Sequence, residues 1–197
     1  MAVRCREQDA AAYREPHLCS MSNPGRPPLS ELPAFYHRYV ERVTDEDLNG
    51  ALEESFRAAM GTFARIDEAT SLHRYAPGKW SVRDLVQHLI DCDRIFAYRA
   101  LRIARGDTTP LPGFDEDAYA AAAGADVRPW CDLCAEWQEV RQSLNSLFRS
   151  FTGAALLHTG TANSGTISVR ALGWIAAGHT LHHLHILHER YLTDGRT

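Results

Sequence analysis

The densest chemistry in this sequence is a run of histidines near its end. The 197 residues include 10 histidines, and His179, His182, His183, His185 and His188 fall almost side by side. In a helix, at about 100° per residue, His179 and His183 lie one turn apart and about 40° from each other. Leu172, Ile175, Ala176, Ile186 and Leu187 point the same way, so both imidazoles stand in an apolar stripe. Burying two rings there without a shared partner is costly, whereas a bound cation uses both nitrogens at once. Ordinary core histidines with hydrogen-bond partners are the competing explanation, and for such a pair the two weigh about equally. A second apolar patch, Trp174, Leu181, Leu184 and Leu192, keeps His182/His185 open as an alternative pair. It also implies that this helix is buried on two faces or forms a dimer interface.

Two histidines do not complete a metal site. His88 is the best third donor, because Leu85, Cys92 and Ile95 surround it on the apolar face of another helix. His17, His37, His73 and His158 fall in a tail, near a helix start or in loops. Three histidines with no fourth protein ligand leave a position open for water or substrate, the arrangement of a catalytic site. Imidazole suits zinc, nickel and iron alike. Thr180 stands where the zincin motif needs its glutamate base, so that motif is absent.

The elements that must carry these residues read as helices. Residues 1–28 are expected to be a disordered tail ending in a Pro- and Gly-rich run, with Met1 or Met21 as the translation start, and residues 29–194 to form a single domain. A short helix is expected from Ser30 to Val43. Thr44 then caps a helix through Asp47, with Leu48, Leu52, Phe56, Met60, Phe63 and Ile66 as its stripe. Ser81 with Asp84 caps a second long helix that carries His88 and stops at Gly106. Residues 106–128 read as a long connection, of the kind that serves function or crosses the fold. Pro129 opens a third helix at its first position. A loop over 152–166 leads to the fourth, from Ser168 to Leu192. No strand pattern is evident, so the fold class is all-α: a four-helix bundle with long crossover loops, whose metal sites are built from facing helices.

Composition narrows the function. Hydrophobic residues make up 45% and charged residues 23%, and 21 Lys+Arg against 25 Asp+Glu give a net charge of −4. That balance argues against a nucleic-acid partner, and no apolar run spans a membrane. Five cysteines without a secretory leader read as reduced thiols of a cytoplasmic protein. Cys131 and Cys134 mimic a redox pair, but they open a helix rather than follow a strand, and no catalytic part is expected of them.

Three segments carry a family likeness: Tyr75-Ala-Pro-Gly-Lys-Trp-Ser81 leading to His88, Leu111-Pro-Gly-Phe-Asp-Glu-Asp-Ala-Tyr119, and Gly178-His179-Thr-Leu-His182-His183. From Leu32 to Leu192 the chain resembles the DinB/YfiT-like superfamily of metalloenzymes. The resemblance implies that His88, His179 and His183 bind one divalent metal (zinc, nickel or iron), and that the protein is a homodimer acting on a small molecule. Relatives include transferases dependent on bacillithiol or mycothiol, and hydrolases. The expected function is therefore a metal-dependent enzyme, a thiol-dependent S-transferase or a hydrolase, with a low-molecular-weight thiol as co-substrate in the first case. A non-catalytic bundle binding a small molecule or partner, its metal structural or lost, is the alternative. Asp91, one turn from His88, is a candidate to orient an imidazole, although a solvated acid fits as well. Asp115, Glu116 and Asp117 lie in the motif loop, and none stands out as a base. Arg99 shares the His88 face and reads as half of an ion pair, with contact to an anionic substrate as the alternative.

Overall fold

A computed structural model describes residues 24–192. The helices are α1 (His37–Val40), α2 (Leu48–Phe63), α3 (Glu68–Ser71), α4 (Val82–Ala104), α5 (Glu116–Ala123), α6 (Trp130–Arg149) and α7 (Gly153–Leu156). An antiparallel hairpin, β1 (Thr159–Ala162) and β2 (Gly165–Ser168), precedes α8 (Val169–Ile186), which ends in a π turn over Leu187–Tyr191. The long helices α2, α4, α6 and α8 form the bundle. Both α2 and α4 pack mainly on α6 and α8, so α2 lies diagonal to α4 and α6 diagonal to α8. Such pairing needs long crossovers, which the intervening segments supply. No helix among the described residues is long and apolar enough to cross a membrane.

Several local expectations change. The helix expected over 30–43 is broken: Pro33 adopts an extended backbone, leaving two 3-10 turns and the single turn of α1. Asp47, not Thr44, caps α2, its carboxylate accepting from Gly50 N at 2.8 Å. Pro129 precedes α6 as its cap residue rather than its first position. The connection over 106–128 holds α5, which Asp115 caps and Gly124, at φ +60°, ends. The absence of strands also needs correction. The segment read as a loop folds into the β1–β2 hairpin, turned by Asn163 and Ser164, both at positive φ. Asparagine tolerates that left-handed conformation, which two-residue hairpin turns need.

The capping box stands as expected: Ser81 Oγ accepts from Asp84 N at 3.0 Å and Asp84 Oδ2 accepts from Ser81 N at 2.9 Å. Residues 1–23, and with them Cys5, His17, Cys19 and Met21, lie outside the described residues, as do residues 193–197. Arg26, within the stretch read as tail, donates to Val43 O at 2.6 Å and lies 4.8 Å over the Trp174 ring.

Helix α8 is buried on both sides by its own chain, with Trp174 and Leu184 both inside. Two glycines let neighbours come close. A Cβ on Gly178 would stand 1.9 Å from the Tyr39 carbonyl, and one on Gly173 would stand 2.8 Å from Phe148. One polar network crosses the bundle centre. Arg141 of α6 donates two parallel bonds to Asp93 of α4, at 2.9 and 3.0 Å, and also reaches Ala176 O and Thr180 of α8. Arg141 and Asp93 are both fully buried. Burial pushes the Asp93 carboxyl up to about 6, against the pull of Arg141.

Candidate metal centre

The capping box fixes where α4 starts, and two turns later His88 points inward. Thr180, held by Arg141, fixes α8 beside the residue that matters most, His179. The result is that His88 Nε2 and His183 Nε2 each lie 3.1 Å from His179 Nε2. Ring centroids are 5.0 Å apart for His88–His179, 4.9 Å for His88–His183 and 4.5 Å for His179–His183. Of the two histidine pairs on α8, it is His179 and His183 that lie beside His88. His185 instead faces Glu189 at 3.0 Å, and His188 contacts Thr62 at 3.4 Å. His182 packs against Tyr39, ring to ring at 5.3 Å.

Aromatic rings wall the three imidazoles. Trp80, from the first motif segment, sits 4.9 Å from His88; Tyr39 and Phe96 meet His179 edge-on at 5.2 and 5.7 Å. Burial drives the His88 imidazole down to about 4. His179 and His183 are pushed well below the ordinary value, by burial first and then by the neighbouring imidazoles. All three are neutral at neutral pH, the form that can bind a cation.

The donor set fits a metal. A neutral ring nitrogen carries either one proton or one in-plane lone pair, so His179 Nε2 cannot bond well to both neighbours at once. A cation accepting all three lone pairs removes that conflict, and an all-imidazole set suits zinc, nickel or iron. On the outer side, Nδ1 of His179 and His183 have no partner among the described residues. His88 Nδ1 meets Cys92 Sγ at 3.7 Å.

Cys92 is the residue that sequence reasoning passed over. Its sulfur lies 3.5 Å from His88 Nε2, and His88, Cys92 and His179 together offer three close donor atoms. Its position four residues after His88 was the available signal, since that spacing stacks two side chains on one helical face. Burial holds its thiol well above the ordinary range.

Asp91 does not orient an imidazole: its carboxylate accepts from Gln87 Nε2 at 3.0 Å instead. Arg99 forms no ion pair among the described residues, and donates to Pro112 O at 2.7 Å. Cys131 and Cys134 stand on the first turns of α6, far along the chain from the imidazoles, and burial pushes the Cys134 thiol up to about 12, the opposite of activation.

Two cavities border the centre. One of about 760 Å³ is lined by His183, Trp80, Tyr75 and Arg190; the other, about 370 Å³, by His179, Cys92, Arg99 and several aromatic rings. Asp117 on α5 lines both. The motif loop that leads into α5 is pinned to the hairpin: Leu111 N donates to Thr161 O at 2.9 Å, and Asn163 N donates to Leu111 O at 3.0 Å. Gly113 leaves room for the Asn163 side chain, whose Oδ1 would be 2.2 Å from an added Cβ.

Comparisons with known proteins agree with this picture at the level of family and fold. The model of the DinB superfamily matches residues 51–187. A protein of Oceanobacillus iheyensis named "Putative metal-dependent hydrolase" is 31% identical over 84 residues, 41% of this chain. The match spans 48% of that relative, about half its length. Among solved structures, YfiT from Bacillus subtilis, described as a probable metal-dependent hydrolase with an unusual four-helix bundle topology, superposes with a TM-score of 0.62. It is 18% identical, with 84% of this chain and 92% of that one covered.

Proposed function

Since the chain belongs to the DinB superfamily, we propose that it is a metal-dependent enzyme whose divalent cation is held by His88, His179 and His183. The single observation that carries the reading is that buried His179 offers its Nε2 3.1 Å from the Nε2 of both buried His88 and half-buried His183, beside two cavities. A divalent cation there supplies Lewis acidity, generating a nucleophile at neutral pH from water or a thiol. The chain's own residues do the rest. Tyr39, Trp80 and Phe96 wall the imidazoles with aromatic rings. Asp117, which lines both cavities, is the candidate carboxylate to take the proton of the incoming nucleophile. Asp115 is already engaged, accepting from Asp117 N and Ala118 N at the start of α5.

With water as the nucleophile the reaction is hydrolysis, in line with the description of the Oceanobacillus relative. Thiol-dependent S-transfer is the second reading, favoured by one observation: two cavities, each reaching a different imidazole, suit two substrates. The test is a panel of esters, amides and alkyl halides, run with and without low-molecular-weight thiols, on protein loaded with zinc, nickel or iron. Turnover that needs the metal and disappears in His183→Ala supports the enzyme. An inert panel, together with a large drop in melting temperature on chelation, favours a structural metal instead.

A further inference from the structure

Four arginines of the described residues are buried: Arg83, Arg99, Arg141 and Arg170. Three of them have a carboxylate in contact, Glu68 for Arg83, Asp93 for Arg141 and Glu31 for Arg170. Arg99 is only 3% exposed and has none. Its recorded bond, from Nη2 to Pro112 O, spends one of five N–H donors. Burying a guanidinium without a counter-ion is costly, and Arg99 lines the 370 Å³ cavity that also reaches His179.

We propose that Arg99 receives the carboxylate of a small apolar acid, whose body lies among Phe35, Tyr36, Phe96 and Phe114 and whose far end approaches His179. The planar guanidinium matches a carboxylate in two parallel bonds, and the aromatic rings favour an aryl or branched alkyl body. Asp115, Glu116 and Asp117 line the same cavity and oppose any anion, a phosphate dianion about twice as strongly as a carboxylate, so pairing with Arg99 favours a monoanion. As a statement about substrate class this rests on the metal-centre reading. As a statement about binding it does not.

The test uses 3-phenylpropionate and its amide as probes, titrated by NMR or calorimetry into the full chain with and without metal. The acid should bind at least tenfold more tightly than the amide, with or without metal. Arg99→Gln should abolish that preference and leave amide binding unchanged. If the Gln variant fails to fold, Arg99→Lys decides: it keeps a charge but loses the fork, so acid affinity should fall while amide affinity holds. Equal binding of acid and amide to the native protein overturns the proposal, as does a preference that survives Arg99→Gln or is untouched by Arg99→Lys. A preference that vanishes when the metal is removed also overturns it, by sending the carboxylate to the metal. A metal site that fails in its own test leaves the Arg99 preference standing, so the two failures are distinguishable.

Discussion

His88 Nε2 and His179 Nε2, 91 residues apart in the chain, lie 3.1 Å from each other in the middle of the bundle. Two neutral imidazoles held that close, with a third beside them, make the metal-free site sensitive to protons. The folded values are depressed, to about 4 for His88 and further for His179 and His183. As pH falls below the ordinary imidazole value of about 6.5, the unfolded chain takes up protons first. The stability these groups contribute is full above that value, declines below it, and is lost as pH falls through the folded values. For His88 alone the loss amounts to about 3 kcal/mol by pH ~4. Asp93, raised to about 6, works the other way, because its folded form gains a proton more readily than the unfolded one. The three imidazoles outweigh one carboxyl, so chelated protein should lose stability steadily from pH ~6.5 to ~4 in urea titrations. A flat profile over that range contradicts the depressed titration of the three rings.

The Asp93–Arg141 pair sets the register of three helices, and its removal should be felt as a folding defect. Asp93→Asn leaves Arg141 buried without its counter-ion and should cost about 3–5 kcal/mol in denaturant unfolding. Replacing both partners together with Leu and Met should recover much of that loss. If the single and double changes cost the same, the pair is not what holds Thr180, and with it His179, in place.

Gly178 is a contact point between α1 and α8. Gly178→Ala puts a methyl where the Tyr39 carbonyl already lies, so α1 must move away. A loss of about 1–3 kcal/mol is expected, with Tyr39 fluorescence changing because the ring leaves His179. A variant as stable as the native chain argues against this close approach.

Much of this was legible in the sequence, for physical reasons that differ by residue. Ser81 and Asp84 announce a helix start because a capping box is local chemistry that needs no partner. His88, His179 and His183 stood out because each sits in an apolar stripe. Periodicity could not choose between His179/His183 and His182/His185, since α8 is buried on two faces and its wheel has no clear polar side. The hairpin escaped notice because its strands are four residues each and its turn is Asn-Ser rather than Asn-Gly. The Asp93–Arg141 pair and the unpaired state of Arg99 depend on what comes near in three dimensions, which spacing along one helix does not contain.

Cys92 decides whether the centre is open or closed. An open, three-imidazole centre predicts that Cys92→Ser keeps its metal, and that cobalt-loaded native protein lacks a sulfur-to-cobalt charge-transfer band. The appearance of that band, with metal lost in Cys92→Ser, describes a closed four-ligand site and favours a structural role.

If three imidazoles hold one cation, metal content reports it. The chain is purified without a nickel column, and metal per chain is determined by elemental analysis for the native protein and for His88→Ala, His179→Ala and His183→Ala, with His185→Ala as the control. About one divalent ion per chain is expected in the native protein and the control, with most of it lost in each of the three variants. A native protein that takes up no metal even when zinc, nickel or iron is offered, or one whose metal survives all three changes, contradicts the three-imidazole site.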